Sequence, residues 1–163
     1  NIDSTEQEVI IFSPLSGKLV KIQDVPDITF SESCLGNGVA IIPDTGDVFA
    51  PFVAVIEQIY DSSHAIVLTN NSGVTVLIHI GLDTIKLDGR GFKTFVAVGD
   101  KVKMGDIIIR ADLDLIKEEN YNTITPIVVI ESDKYSMMEQ VDREFVKAKE
   151  KIISLKIKDN DRN

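Results

Sequence analysis

The sequence predicts an all-β protein: an antiparallel β-sandwich or barrel of short, crossing strands with one or two short helices. The 23 isoleucines and 17 valines make up about a quarter of the 163 residues, and β-branched side chains favour pleated strands. Short apolar runs alternate with Gly, Pro, Asn and Asp, which form turns. One domain, residues 1–163, fits this length, and 44% hydrophobic residues supply its core.

Nine apolar runs are predicted as strands. They cover residues 9–12, 19–22, 39–42, 54–60, 64–69, 74–80, 92–96, 107–110 and 127–130. Residues 13–17 and 50–54 both read small-Pro-x-x-small before a strand. This echo indicates a pseudo-duplicated β-sandwich of short, crossing strands.

Two later segments complete the expected architecture. Residues 112–120, DLDLIKEEN, predict a short helix, and residues 132–146 predict another turn or two before a final hairpin that ends at 152–157. Residues 1–7 and 159–163 are expected to be flexible.

Charge and cysteine content limit the function classes. The net charge of −9 disfavours nucleic acid and anionic membranes as partners. The single cysteine, Cys34, excludes an internal disulfide and fits a reducing compartment. No secretory signal and no apolar run of about 20 residues are visible, so a cytoplasmic protein without direct membrane insertion is expected.

The chain has only two histidines, and both flank one predicted hairpin. The runs 64–69 and 74–79 enclose Asn-Asn-Ser-Gly, which predicts a loop of two or four residues. Either loop length places His64 directly opposite His79, with the two side chains on one face. A loop of three or five residues would shift the register.

Two facing imidazoles cannot both be comfortably cationic, so at least one stays neutral and nucleophilic near pH 7. General acid–base catalysis, a two-ligand metal site and a phosphohistidine carrier all fit such a pair. A hydrolase lacks an evident Ser or Cys nucleophile with a matched base. A zinc site lacks a third ligand, since the nearest acid is Asp83.

The residues around the pair suggest supporting roles. Gly81 lets the backbone fold close to His79, where a carbonyl could accept the Nδ1 proton and leave Nε2 as a nucleophile. Asp83 could orient a ring or position a partner. Ser62, two residues before His64, could form a hydrogen bond with the second ring.

Nine motifs, in this order, resemble one protein family. They are SPLSGKLV at 13–20, DVPDITF at 24–30, GNGVAIIP at 36–43, VFAP at 48–51, SHAIVL at 63–68, IHIGLDT at 78–84, GF at 91–92, VKMGD at 102–106 and TPIVV at 125–129. From about residue 10 to 129 the sequence resembles the glucose-specific enzyme IIA family of the bacterial phosphoenolpyruvate:sugar phosphotransferase system.

The resemblance implies an antiparallel β-sandwich of the duplicated hybrid-motif type. It also implies a phosphocarrier, a phosphotransferase component with a phosphohistidine intermediate. His79 would accept the phosphoryl group on Nε2, and His64 would stabilise that group during transfer. Ser62 would support His64, and the backbone carbonyl of Gly81 would orient His79. The donor would be phospho-HPr, and the acceptor a cysteine in the IIB domain of a glucose-type permease.

Both partners must dock on one face, so a shallow site with an apolar rim is expected. The candidates for the rim are Phe30, Leu35, Tyr60, Leu77 and Ile85. The acidic charge of the chain is expected to receive basic residues of these partners.

The alternative function implied by the resemblance is a zinc-bridged regulatory protein that acts on metabolic enzymes or permeases, with glycerol kinase as one partner. His64 and His79 would then bind zinc at the partner interface. No cofactor is expected to be obligatory.

Overall fold

The computed structural model describes residues 6–158, in which β-strands predominate. The strands of this part of the chain, numbered β1 to β14, are Glu6–Phe12, Gly17–Lys21, Gly38–Pro43, Asp47–Phe49, Ala54–Ile59, Ala65–Thr69, Thr75–His79, Phe92–Thr94, Lys101–Val102, Ile107–Ala111, Thr125–Val129, Met137–Gln140, Phe145–Val146 and Lys151–Lys158. Its α-helices, α1 and α2, are Ile28–Ser31 and Leu113–Glu118.

The strands form one large sheet and two small ones. The large sheet has eight strands in the order β13-β2-β3-β11-β7-β6-β5-β9, and the small sheets are β1-β14-β12 and β4-β10-β8. Each strand pair within residues 6–158 is antiparallel. The predicted antiparallel β-sandwich with one or two short helices is therefore confirmed.

One face of the large sheet packs against both small sheets. Ile66 and Ile78 from the large sheet share a buried cluster with Ile11 of β1 and Ile109 of β10. Side chains alternate along a strand, so this cluster takes every second residue of β6 and β7. Burial of these β-branched side chains joins the three sheets around one core.

The opposite face of the large sheet carries a second apolar cluster. Ala65, Leu77 and Val128 contribute to it from neighbouring strands, and Phe30 of α1 covers it. Because Ala65 is the cross-strand partner of His79, the imidazole of His79 emerges on this second face. The segment between β2 and β3 therefore lies beside the candidate site.

Both helices begin at an aspartate whose carboxylate caps the first turn. Asp27 accepts a hydrogen bond from the N–H of Thr29 at 3.0 Å, and Asp112 accepts one from Leu115 at 3.1 Å. The helix predicted over residues 112–120 is thus present, with Asp112 as its cap. Among residues 6–158, no helix has the length and apolar character needed to span a membrane.

Residues 132–146 begin with one helical turn, at the lower end of the one or two that were expected, and then form strands. A 3-10 helix covers Ser132–Lys134, but β12 and β13 follow it. The strand forms because β12 pairs with β14, where Met138 lies opposite the buried Leu155. Such pairing with a distant strand is not visible in local sequence.

The expected flexible ends lie largely outside the described residues. Residues 1–5 and 159–163 are not described, whereas residues 6 and 7 form the start of β1 and pair with β14.

Candidate active site

Five residues, 70–74, separate β6 from β7. Because Asn70 and Val74 still pair with each other, the turn itself is a three-residue loop, 71–73, and its length sets the pairing of the two strands. The N–H of Asn70 donates to the carbonyl of Val74 at 2.9 Å, and Gly73 has a φ of 85°. A three-residue loop of this kind shifts each cross-strand pair by one residue. His79 therefore pairs with Ala65, and the prediction that it pairs with His64 is wrong.

His64 nevertheless contacts His79, because it lies in the loop before β6 and outside the regular pleat. In that loop the N–H of Tyr60 donates to the carbonyl of Ala65 at 3.0 Å, and Ser63 adopts a left-handed φ of 59°. The loop thereby turns His64 toward the face of His79. The two ring centroids are 5.0 Å apart, with the ring planes at 82°.

A backbone carbonyl fixes the orientation of the His79 ring. Nδ1 of His79 lies 2.8 Å from the carbonyl oxygen of Gly81. Since a carbonyl oxygen can only accept, Nδ1 carries the proton of the neutral ring and donates it. The lone pair then resides on Nε2, and the partly exposed ring can present it to another molecule.

Both histidines are held in the neutral form by their surroundings. Burial, and then the neighbouring His79, lower the pKa of His64 from 6.5 to about 4. Burial also lowers the pKa of His79, but the Gly81 carbonyl and the charges of Asp27 and Asp83 act in the opposite direction. His79 thus combines a neutral ground state with nearby negative charge.

Aromatic rings pack against each imidazole. The ring of Phe30 lies 5.2 Å from that of His79, and the ring of Tyr60 meets that of His64 edge-on at 5.5 Å. Phe30 and Leu77 are only 5% and 2% exposed. These two therefore form the packed layer beneath the face instead of a rim that a partner could touch.

The remaining predicted residues differ in their access to solvent. Ile85 is 57% and Leu35 is 40% exposed, so both can contact a docking protein. Ser62 is buried, and no hydrogen bond joins it to His64 within the described residues. Nδ1 of His64 is buried and has no hydrogen-bond partner in that part of the chain.

Asp27 belongs to the site although the sequence reasoning did not select it. Its charge supports the cationic form of His79 while its carboxylate caps α1. An aspartate directly before a short amphipathic stretch is a helix-start signal. That signal, in the segment DVPDITF, could have placed Asp27 at the start of the helix that carries Phe30.

The two imidazoles do not make a zinc centre on their own. Residues 6–158 contain no group of three or more His, Cys, Asp or Glu side chains placed to hold a metal ion. Protein zinc sites take at least three protein ligands, so zinc at His64 and His79 would need ligands from another molecule. Zinc binding, the regulatory role and glycerol kinase as a partner stay predictions.

Comparison with known families shows the system in which this chain works. The profile of the phosphoenolpyruvate-dependent sugar phosphotransferase system, EIIA 1, matches residues 9–135, which include both histidines and Gly81. The chain belongs to this family. This EIIA chain is therefore a phosphotransfer component of the sugar phosphotransferase system and acts as a phosphocarrier in sugar uptake.

Individual relatives cover most of the EIIA chain. It is 40% identical over 158 residues to the "PTS system glucose-specific EIIA component" of Halalkalibacterium halodurans, spanning 96% of this chain and 91% of that protein. It is 42% identical over 147 residues to the "PTS system glucose-specific EIICBA component" of Staphylococcus carnosus, spanning 90% of this chain and 22% of that protein.

The fold agrees with a solved member of the same system. Glucose permease IIA from Mycoplasma capricolum superposes with a TM-score of 0.82 at 29% identity, over 91% of this chain and 96% of that one.

Proposed function

We propose that His79 carries the phosphoryl group on Nε2 and relays it from phospho-HPr to a cysteine of the IIB domain of a glucose-type permease. The observation that supports this most is the hydrogen bond from Nδ1 of His79 to the Gly81 carbonyl, at 2.8 Å. It commits the proton to Nδ1 and leaves the Nε2 lone pair for phosphorus.

With this tautomer, His79 neither gains nor loses a proton in either transfer. As the P–N bond to the HPr histidine breaks, a P–N bond forms to Nε2 of His79, and the proton stays on Nδ1, hydrogen-bonded to the Gly81 carbonyl. In the second transfer the IIB thiolate attacks phosphorus, the bond to Nε2 breaks, and its electron pair returns to the ring. Phosphoryl transfer therefore needs mainly positioning and charge stabilisation from this chain.

His64 supplies the charge stabilisation. Its ring lies 5.0 Å from that of His79 and stays neutral at pH 7, so it carries one N–H. Because Nδ1 faces the buried side, Nε2 is the nitrogen available to donate to a phosphoryl oxygen on His79. Ser62 lies two residues before His64 and is buried, so it would help to hold the loop that carries the His64 ring.

The surface around His79 suits basic partners. Asp27 and Asp83 place negative charge near the ring, and Ile85, two residues after Asp83, exposes an apolar side chain. Small interfaces that combine such groups exchange quickly, as a relay requires. The names of the two relatives and of the solved structure support a glucose-type permease as the acceptor. The cytoplasm is where HPr and IIB would meet this chain.

The experiment that tests this function is phosphorylation with phosphoenolpyruvate, enzyme I and HPr. The unmodified chain should gain acid-labile phosphate, and His79→Gln should gain none. His64→Gln serves as the matched variant, since it should still accept phosphate on His79 but fail to pass it to IIB. Acid-labile phosphate on His79→Gln would refute the assignment.

A further inference from the structure

The two peptide planes that flank Gly81 are each anchored by a hydrogen bond. The Ile80 carbonyl, in the plane before Gly81, accepts a hydrogen bond from the hydroxyl of Thr84 at 2.6 Å. The Leu82 N–H, in the plane after it, donates to the backbone carbonyl of Asn122 at 2.9 Å. Since peptide groups are planar, the two bonds together set the φ and ψ of Gly81.

The second plane determines where the Gly81 carbonyl points. In a trans peptide, the carbonyl of Gly81 and the N–H of Leu82 point in opposite directions. The N–H is held toward Asn122, so the carbonyl is directed away from Asn122, where Nδ1 of His79 meets it at 2.8 Å.

Thr84 also closes the space beside Gly81. A Cβ at Gly81 would lie 2.6 Å from Cγ2 of Thr84 and 2.8 Å from the carbonyl oxygen of Asn122. Thr84 is completely buried, and its hydroxyl bonds to Ile80. Its methyl thus fills the space beside Gly81, while its hydroxyl holds the Ile80 carbonyl in place.

From these contacts we infer that Thr84 is a positioning residue for His79. Its hydroxyl holds the Ile80–Gly81 plane, which keeps the Gly81 carbonyl aimed at Nδ1 and the proton off Nε2. The acceptor on Asn122 is a backbone atom, so Thr84 is the member of this network that substitution can remove. The expected effect of Thr84 on the rate of phosphoryl transfer rests on the proposed function. Its expected effect on the tautomer of His79 does not.

The test compares Thr84→Val with Thr84→Ser in protein labelled with ¹⁵N at histidine. Valine keeps the shape and removes the hydroxyl, whereas serine keeps the hydroxyl and removes the methyl. The ring ¹⁵N shifts of the two histidines, recorded at about pH 8, above the ordinary histidine pKa of 6.5, report the tautomer of His79 directly. Ser13→Ala controls for general loss of a buried hydroxyl, since Ser13 bonds to the Leu15 carbonyl at 2.6 Å.

Thr84→Val should populate the Nε2–H tautomer of His79 and slow phosphoryl acceptance from phospho-HPr by about tenfold. Thr84→Ser and Ser13→Ala should keep the original tautomer and rate. If Thr84→Val does not fold, Thr84→Ala replaces it in the same comparison.

Two results separate this inference from the proposed function. An unchanged His79 tautomer in folded Thr84→Val, or in Thr84→Ala, would overturn the role of Thr84. A changed tautomer with an unchanged rate of transfer would support that role and contradict His79 as the phosphoryl acceptor.

Discussion

The imidazoles of His64 and His79 lie 5.0 Å apart at a ring angle of 82°, although the residue paired with His79 is Ala65. A loop residue and a strand residue thus make up the pair. The N–H of Ile80 donates to the carbonyl of His64 at 2.7 Å and ties the loop to the end of β7. The geometry of the pair therefore depends on the backbone after each histidine as much as on the sheet.

Gly81→Ala should abolish phosphoryl acceptance and destabilise the fold. Gly81 has a left-handed φ of 77°, and a Cβ there would overlap Thr84 and the Asn122 carbonyl. Gly89→Ala is the matched control, because Gly89 has a φ of 89° but nothing within 4 Å of its Cβ position.

Urea unfolding should show a loss of about 1 kcal/mol for Gly89→Ala, the cost of the left-handed backbone. The loss for Gly81→Ala should be larger by at least about 1 kcal/mol, the usual cost of overpacking. Equal losses for the two variants would mean that the contacts of Gly81 with Thr84 and Asn122 do not matter.

The stability of the protein should fall between pH 6.5 and pH 4 because of His64. The unfolded chain binds a proton at this residue near pH 6.5, but the folded chain binds it only near pH 4. Between these values the unfolded state holds more protons, so acid favours unfolding by up to about 3 kcal/mol, and above pH 6.5 the effect vanishes.

Urea unfolding at a series of pH values measures this effect. His64→Gln should lose most of the dependence in that range, whereas His79→Gln should keep the part due to His64. The same pH dependence in the original chain and in His64→Gln would show that His64 is not held neutral by burial.

Ile85→Asp should weaken docking without unfolding the protein. Ile85 is 57% exposed and lies two residues after Asp83, near His79. Val53 is 64% exposed and lies directly before β5. The start of β5 pairs with Thr69, at the end of β6 that is far from His64. Val53→Asp is therefore the matched control.

Steady-state transfer from phospho-HPr should show kcat/KM about tenfold lower for Ile85→Asp. Val53→Asp should match the original chain, and both variants should keep their unfolding free energy within about 0.5 kcal/mol. Equal transfer by the two variants would place the docking surface elsewhere.

Asp83→Asn should slow association with phospho-HPr and weaken its dependence on salt. Asparagine tolerates the left-handed φ of 60° at this position, so the change removes charge with little change of backbone. It also removes a charge that raises the pKa of His79, which should fall further below its ordinary value.

The measurement is the association rate over a range of salt concentrations, with Asp133→Asn as the control for loss of an exposed carboxylate. A shallower salt slope for Asp83→Asn alone is expected. The same slope in all three proteins would remove Asp83 from the docking surface.

The fold class followed from local patterns because alternation and turn residues are local properties. The runs in β5, β6 and β10 mark strands in this way. Residues 137–140 gave no such signal, since β12 exists through its pairing with β14. The three residues of β4 were too few for a pattern, although Val48 is fully buried.

The site was predictable in its residues but not in its register. The two histidines, Gly81 and the surrounding motif identified the pair, but Asn-Asn-Ser-Gly permits loops of several lengths. The three-residue loop pairs His79 with Ala65 instead of His64. The left-handed backbone at Ser63 then turns His64 toward His79, so the two rings are in contact although the predicted pairing is absent. Asp27 and Thr84 act through tertiary geometry that spacing does not reveal.

The central claim is that phosphorus bonds to Nε2 of His79, and ³¹P–¹⁵N coupling tests it most directly. The chain has only two histidines, so protein labelled with ¹⁵N at histidine has four ring nitrogens to resolve. After phosphorylation by phospho-HPr, one nitrogen, Nε2 of His79, should show splitting by phosphorus, and Nδ1 should keep its proton. Splitting at Nδ1 of His79, or at either nitrogen of His64, would contradict the account.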